Sequence, residues 1–168
     1  MGANPVVRLN ASMSIERATG NLLEAEVDAL VNTVNTAGVM GKGLALQFKK
    51  AFPEVFHDYE AACKRDEVIV GRMHVSRRPA APRFIINFPT KKHWRGKSKL
   101  EFIRAGLIDL VAQIESLGIE SIAIPPLGCG LGGLSWADVE PLIISALEPL
   151  PNLRVLLYAP DGGPRPEA

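Results

Sequence analysis

The stretch ALVNTVNTAGVMGKGLALQFKK, residues 29–50, decides the fold of this chain. It opens with an apolar, β-branched run typical of a buried strand, breaks into a glycine-rich loop at residues 35–43, and continues with apolar residues at helical spacing. A second stretch, SIAIPPLGCGLGGLSWADVE at residues 121–140, repeats the order of strand, glycine-rich loop and helix. Because such loops lie at the carboxyl ends of the strands in an open α/β sheet, we expect both loops to face one ligand.

The rest of the chain continues this alternation. Periodicity predicts strands at 14–19, 27–34, 73–76, 83–88, 121–125 and 153–158, and helices at 44–64 (divided by Pro53), 99–117 and 135–147. Short apolar strands between amphipathic helices predict an α/β fold in which helices cover both faces of a largely parallel sheet. We expect one domain over residues 13–160, after a vector-derived leader at 1–12 and before a loose tail at 161–168.

The composition is that of a folded globular protein. Of the 168 residues, 47% are hydrophobic and the mean hydropathy is +0.11, which excludes a disordered chain. No apolar run reaches the roughly 18 residues that a membrane span needs. Two cysteines make no disulfide framework, so we expect a reduced, cytoplasmic protein, with a monomer as the default oligomeric state.

The positive charge is concentrated in one segment. Residues 71–100 contain nine Lys and Arg and no Asp or Glu, although the net charge of the whole chain is only +1. Such a block is either a binding surface for a polyanion or a solvated basic loop without a specific role. Its distance from a ligand site decides between the two interpretations.

The two glycine-rich loops are suited to bind phosphate. Glycine lets backbone N–H groups approach an anion, and the helix that follows adds a favourable dipole, so two such loops predict a diphosphate ligand. The sequence GVMGKG does not fit a Walker motif, because Thr36 stands where glycine is required and Gly43 where Ser or Thr should bind magnesium. GCGLGG does not fit a dinucleotide fingerprint, because it lies late in the chain and lacks the acidic residue that should follow.

Four motifs together resemble a macrodomain, and more narrowly the DarG antitoxin branch, which is related to terminal ADP-ribose protein glycohydrolase. They are ATGNLL (18–23), the stretch at 29–50, INFPTKKHWRGKS (86–98) and PPLGCGLGGL (125–134), and the resemblance extends from residue 13 to about 158. It implies a three-layer α/β/α fold with a mostly parallel mixed sheet, and ADP-ribose as ligand or product without a cofactor or metal. It also implies a hydrolase that removes ADP-ribose from thymidine in single-stranded DNA and so reverses a DarT-type toxin.

The resemblance assigns the ADP-ribose contacts. Asn21 either accepts a hydrogen bond from adenine or caps the short helix after it, and Leu22 offers its backbone. Asn35 is expected at the distal ribose, the sugar that is attacked, whereas Asn32 is more suited to fix the loop. The diphosphate contacts would come from Gly38, Val39, Met40 and Gly41 on one side and from Gly128, Cys129, Gly130, Leu131 and Gly132 on the other, with Tyr158 stacking on adenine.

Lys91 aligns with the catalytic lysine of the resembling enzymes, and Lys92 is the alternative. A partly buried lysine with a lowered pKa can act as a base or nucleophile, but Lys91 can also be one more surface cation of the basic block. Cys129 fits a small loop residue better than a nucleophile, because no histidine lies near it in sequence. Contacts with DNA are expected from His93, Trp94, Arg95 and Lys97, where Trp94 either stacks on a base or packs against the protein.

One position departs from the related protein glycohydrolase. That enzyme carries an aspartate in the second loop that assists its lysine, and this chain has Gly132 there. The departure argues against hydrolysis of ADP-ribose from protein carboxylates and keeps a non-catalytic ADP-ribose reader as an alternative. The resemblance covers the macrodomain alone, so the pairing with a toxin is expected to be functional and not a direct contact.

Overall fold

A computed structural model describes residues 13–160, which form six strands and four α-helices. The leader predicted at 1–12 and the tail predicted at 161–168 lie outside the described residues. A single 3₁₀ turn, Leu22–Glu24, follows the first strand. The elements are β1 (Ser14–Ala18), β2 (Ala29–Asn35), α1 (Gly43–Ala51), α2 (Pro53–Lys64), β3 (His74–Arg77), β4 (Phe84–Lys91), α3 (Leu100–Leu117), β5 (Ser121–Ile124), α4 (Trp136–Leu147) and β6 (Arg154–Tyr158).

The six strands form one sheet in the order β1-β6-β5-β2-β4-β3. Every neighbouring pair is parallel except β3 and β4, which are antiparallel. The central strands β5, β2 and β4 are buried on both faces and therefore read as continuous apolar runs in the sequence. The predicted three-layer α/β/α architecture with a mostly parallel mixed sheet is confirmed.

Apolar clusters fill both faces of the sheet. One joins the sheet to α3 and α4 and includes Phe88, Leu110 and Ile143, each completely buried. Helix α3 approaches the sheet closely at Gly106, where an added Cβ would lie only 2.3 Å from the Phe88 ring. Two smaller clusters pack α1 and α2 on the opposite face, around Phe48 and Tyr59.

Strand β4 extends three residues beyond the predicted end at residue 88. Pro89 lacks an N–H and interrupts the apolar pattern, so the sequence reads as a strand end. The structure accommodates the proline with a bulge: Val34 pairs with Pro89, Asn35 pairs with Lys91, and Thr90 is the extra residue. Lys91 therefore ends the strand and does not stand in a free loop.

Among residues 13–160, none of the helices combines the length and hydrophobicity that crossing a lipid bilayer requires.

Candidate active site

A cleft of about 1270 Å³ opens at the carboxyl ends of the central strands, between the first glycine loop (residues 35–43) and the second glycine loop (residues 128–133). The two loops predicted to face one ligand are thus brought together. From the predicted site residues, those that line the cleft are Asn21, Leu22, Asn35, Val39, Gly41, Lys91, Trp94, Gly128, Gly130, Leu131, Gly132 and Tyr158.

Asn35 organises the first glycine loop. Its side-chain oxygen accepts hydrogen bonds from the backbone N–H groups of Ala37 (3.0 Å) and Val39 (3.3 Å), and its amide donates to the Val39 carbonyl (2.8 Å). Between these anchors, Gly38 has a φ of +87°, a conformation that other residues rarely adopt. Asn35 itself is 5% exposed and lines the cleft, so it holds the loop at the position predicted to meet the distal ribose.

Asn32 and Met40 lie away from the cleft. Asn32 is completely buried, and its amide donates to Asn87 (3.2 Å) and faces the sulfur of Met40 (3.9 Å), which is 1% exposed. Neither residue lines the cleft, so both side chains have a structural role, and a backbone contact of Met40 with the diphosphate stays a prediction. The contact with Met40 agrees with the interpretation that Asn32 fixes the loop from the side of the core.

Asn32 belongs to a polar row that crosses three strands inside the protein. In register, Asn32 faces Asn87 on β4, and Asn87 faces His74 on β3. The Asn87 amide lies 3.1 Å from Nδ1 of His74, and Nε2 of His74 lies 3.5 Å from the Asp58 carboxylate. Burial lowers the pKa of His74, while Asp58 opposes that shift. A neutral imidazole accepts from Asn87 at Nδ1 and carries its proton at Nε2, toward Asp58. The Asn32 side-chain oxygen, at the other end of the row, is buried without a hydrogen-bond partner among the described residues.

The second glycine loop is packed too tightly for side chains at its base. A Cβ added at Gly132 would lie 2.3 Å from Ser98 Oγ and 2.6 Å from the Gly128 carbonyl oxygen. The Ser98 N–H donates to the Gly132 carbonyl (3.0 Å), which fastens the chain before α3 to this loop. An acid at position 132 is therefore excluded by packing as well as absent from the sequence.

Cys129 points away from the cleft lining. Its Sγ lies 3.5 Å from the Leu127 carbonyl oxygen, and burial with the nearby Asp138 carboxylate raises the pKa of the thiol to about 11. Such a thiol is protonated at neutral pH and is a poor nucleophile. The expectation that Cys129 is a small loop residue fits this geometry, although its side chain does not contribute to the cleft surface.

Lys91 enters the cleft from the end of β4. It pairs with Asn35 in the ladder, and the Thr36 N–H donates to the Lys91 carbonyl (3.2 Å), so the strand end is joined to the first glycine loop. Its Nζ donates to the Trp94 carbonyl at 2.9 Å. Burial and then the charge of Lys97 lower the pKa of the Lys91 amine, which increases the fraction of neutral amine at a given pH.

Lys92 points elsewhere, although it is next in sequence. It is exposed, it does not line the cleft, and its Nζ lies 5.8 Å from the centre of the Phe102 ring. Its carbonyl accepts a hydrogen bond from the Thr36 hydroxyl (2.9 Å). Because neighbouring side chains at a strand end point to opposite sides, the structure separates the two candidate lysines.

A rim of aromatic and basic side chains follows Lys91, and we name residues 92–99 the rim segment. Trp94 is 40% exposed and lines the cleft. The His93 ring stacks on it (5.3 Å between centroids), and the Arg95 guanidinium lies 4.2 Å from the indole centroid. Lys97 passes over the second glycine loop beside Gly133. The four residues predicted to contact DNA therefore lie together at the mouth of the cleft.

The basic block does not form one continuous patch. Arg77, Arg78 and Arg83 lie at the β3–β4 connection, before β4, whereas the rim segment follows β4. At about 3.3 Å per residue, the eight residues of β4 place these groups roughly 20 Å or more apart, at opposite ends of that strand. Only the second half of the block belongs to the site.

The opposite end of the cleft contains the predicted adenine contacts. Tyr158 is 8% exposed and Leu22 is 4% exposed, so both offer small surfaces to the cleft. The Asn21 side-chain oxygen accepts a hydrogen bond from the Leu23 N–H (3.0 Å) and caps the 3₁₀ turn. One of the two roles considered for Asn21 is therefore present, and its oxygen retains a second lone pair for a ligand donor.

Several cleft residues were not predicted from the sequence. They include Thr33, Lys42, Leu44, Gln47 and Thr90. Lys42 lies within the glycine-rich motif, but that motif does not fit the Walker pattern, in which such a lysine binds phosphate. Among the described lining residues there is no Asp, Glu or His, so Lys42 and Lys91 dominate the charge of the cleft. This favours an anionic ligand.

No group of three or more His, Cys, Asp or Glu side chains within residues 13–160 is placed to hold a metal ion.

Comparison with known proteins agrees with this fold. The sequence matches the Macro domain family model over residues 31–143. It is 56% identical over 153 residues to a DNA ADP-ribosyl glycohydrolase of Mycobacterium tuberculosis, a match that covers 90% of this chain and 44% of that protein. The chain spans less than half the length of the DNA ADP-ribosyl glycohydrolases that it matches.

Two solved structures are similar in fold. The macrodomain of Mycobacterium tuberculosis DarG has a TM-score of 0.86 and 55% identity, covering 88% of this chain and 98% of that one. Thermosipho africanus DarTG, solved in complex with ADP-ribose, has a TM-score of 0.79 and 35% identity, covering 91% of this chain and 43% of that one.

Proposed function

This chain belongs to the macrodomain family, and from that premise we propose that it is a hydrolase that removes ADP-ribose from ADP-ribosylated thymidine in single-stranded DNA. The observation that carries the proposal is the position of Lys91. Of the two lysines in the TKK motif, Lys91 is the one that enters the cleft, beside Asn35. The described lining of the cleft contains no carboxylate. The names of the related proteins, DNA ADP-ribosyl glycohydrolases, support the same reaction.

The cleft offers the groups that such a reaction needs. The two glycine loops and Lys42 supply backbone N–H groups and positive charge for a diphosphate. Hydrolysis breaks the bond between the anomeric carbon and the thymine nitrogen; water supplies a hydroxyl to the sugar and a proton to the base. The neutral amine of Lys91 acts at the anomeric carbon, either as a base that opens the ribose or as a group that assists departure of the base.

The rim segment supports a nucleic-acid substrate. Lys97 and Arg95 can meet the phosphates that flank a modified nucleotide, and Trp94 exposes an aromatic surface on which a base can stack. A base-linked ADP-ribose must leave the base stack to enter the cleft, which favours a single strand over a duplex.

The biological role follows from the related proteins. One of them is named a fusion of a DNA ADP-ribosyl transferase with a DNA ADP-ribosyl glycohydrolase, and the structure of a DarTG protein contains ADP-ribose. We propose that this chain acts as an antitoxin that reverses a DarT-type toxin in the cytoplasm, as a monomer and without a metal or cofactor.

An oligonucleotide assay tests the reaction directly. The protein is incubated with a single-stranded oligonucleotide that carries ADP-ribose on thymidine, and regeneration of unmodified DNA is followed. Lys91→Ala should reduce the rate by roughly a hundredfold or more, the scale of acid–base catalysis. Lys92→Ala is the matched control, because Lys92 lies outside the cleft. If unmodified DNA is not regenerated, or if Lys91→Ala keeps full activity, the enzymatic proposal is wrong.

Two other functions predict different results. A non-catalytic reader would bind ADP-ribose in calorimetry and release it from no linkage. A hydrolase of protein carboxylate esters would act on ADP-ribosylated glutamate, but the packing of Ser98 against Gly132 excludes the loop acid of the related protein glycohydrolase. That packing makes the carboxylate substrate the weaker candidate.

A further inference from the structure

A tyrosine outside the cleft contacts the centre of the first glycine loop. Tyr59 lies on α2 and is completely buried. Its hydroxyl lies 2.7 Å from the Asn35 carbonyl oxygen and 3.0 Å from the Asn35 side-chain oxygen. Tyr59 does not line the cleft, so any effect on a ligand must pass through the loop.

Asn35 transmits this contact to the loop. Its side-chain oxygen accepts from the Ala37 and Val39 N–H groups, and its amide donates to the Val39 carbonyl. The orientation of one side-chain amide therefore fixes the backbone at residues 37–39. The single O–H of Tyr59 is shared between the carbonyl oxygen and the side-chain oxygen of Asn35, which favours that orientation.

Asn35 also connects this cluster to Lys91. The two residues pair across β2 and β4, and the next residue, Thr36, donates from its N–H to the Lys91 carbonyl and from its hydroxyl to the Lys92 carbonyl. A shift of Asn35 would move the diphosphate loop and the strand end of Lys91 together. Sub-ångström displacements of this kind can change rates strongly.

The hydroxyl of Tyr59 is not needed to fill space. A phenylalanine would occupy the same volume against Phe56 and His74, whose rings lie 6.3 Å from that of Tyr59. A buried hydroxyl lowers the free energy of the folded state only when it is hydrogen-bonded, and here its partners belong to the loop. Burial raises the pKa of Tyr59, so the hydroxyl remains protonated and able to donate.

We propose that Tyr59 is a positioning residue for ligand binding and for the reaction: by holding Asn35 it keeps the first glycine loop in the shape that binds the diphosphate and sets the sugar beside Lys91. The effect on the reaction rests on the proposed function, whereas the effect on ADP-ribose binding does not.

Tyr59→Phe tests the proposal. Loss of one hydrogen bond should weaken ADP-ribose binding in calorimetry by roughly three- to tenfold. KM for the modified oligonucleotide should rise more than kcat falls, and the pH profile of kcat should keep its shape because Lys91 is untouched. Hydrogen exchange of the Ala37 and Val39 amides should accelerate selectively, which general loosening of the core would not produce.

Ser76→Ala is the matched control. It removes another hydroxyl between α2 and the sheet, one that donates to Asp58 (2.9 Å) and does not contact the loop. Ser76→Ala should leave ADP-ribose binding unchanged at a similar loss of thermal stability. A double-mutant cycle with Asn35→Ala adds a second readout, since the effects should be strongly non-additive if Tyr59 acts through Asn35.

The outcomes distinguish a positioning role of Tyr59 from a purely structural one. Wild-type binding and exchange in Tyr59→Phe, or equal weakening in Ser76→Ala, would overturn the positioning role. Additive effects with Asn35→Ala would overturn it as well. If the wild type releases no ADP-ribose from DNA but Tyr59→Phe still binds ADP-ribose more weakly, the proposed reaction fails and the positioning of the ligand loop holds.

Discussion

Lys97 acts on Lys91 through its charge: after burial, it is the second cause that lowers the pKa of the Lys91 amine. Lys91 ends β4, and Lys97 lies on the connection from β4 to α3 and extends over the second glycine loop beside Gly133. Since only a neutral amine can take a proton or attack carbon, this repulsion favours the reactive form.

Replacing Lys97 by Met should therefore slow the reaction at neutral pH. The pKa of Lys91 would rise toward its ordinary value of 10.5, the neutral fraction would fall, and the rising limb of kcat against pH would move to higher pH. Lys99→Met is the control, because it removes the same charge from a residue that lies 4.0 Å from Glu101. An unshifted limb in Lys97→Met would contradict a role for the neutral Lys91 amine.

Trp94→Ala should affect DNA more than ADP-ribose. A base stacked on an aromatic side chain contributes about 1–3 kcal/mol, so KM for the modified oligonucleotide should rise at least about fivefold. Affinity for free ADP-ribose should change little, because the Lys91 hydrogen bond is made to the Trp94 backbone and survives. Equal losses for both ligands would show that Trp94 is a packing residue.

Gly132→Ala should destabilise the protein. The new Cβ would overlap Ser98 Oγ and the Gly128 carbonyl, and such overpacking typically costs about 1–3 kcal/mol of unfolding free energy. Gly130→Ala is the matched control in the same loop, because a Cβ there meets nothing within 4 Å. Urea unfolding of both variants measures the difference, and equal stabilities would contradict the described packing of Ser98.

His74 should make stability depend on pH. Its pKa is lowered in the folded protein, mainly by burial, so the unfolded chain takes up a proton first as the pH falls. The full contribution is present above pH about 6.5, the unfolded pKa of histidine, and is lost as the pH falls from there through the lower folded pKa. Urea unfolding between pH 8 and 5 should show this slope in wild type and lose part of it in His74→Leu. His57→Gln, an exposed histidine on the neighbouring helix, should retain it.

Much of the fold could be predicted because its strands and helices follow clear periodicities. The helix at 99–117 is observed at Leu100–Leu117, and Pro53 begins α2 as expected. The end of β4 was missed because Pro89 resembles a strand terminator, and only the pairing with β2 reveals the bulge that accommodates it. A bulge depends on the neighbouring strand, which the local sequence does not contain.

The site was predictable at the level of loops and less so at the level of side chains. Asn32 and Met40 stand in the right motifs but point into the core, and a linear motif does not encode that direction. The role of Tyr59 is hidden for the opposite reason: at helical spacing it resembles one more apolar core residue. The basic block is continuous in sequence, whereas β4 places its two halves at opposite ends of that strand.

The rim segment is tied at both ends, at Lys92 to the first glycine loop through Thr36 and at Ser98 to the second through Gly132. A DNA strand that binds to this segment therefore affects the position of both phosphate-binding loops. Binding of the two parts of the substrate should then be energetically linked, and by thermodynamic reciprocity a bare oligonucleotide and free ADP-ribose should alter each other's affinity by the same factor.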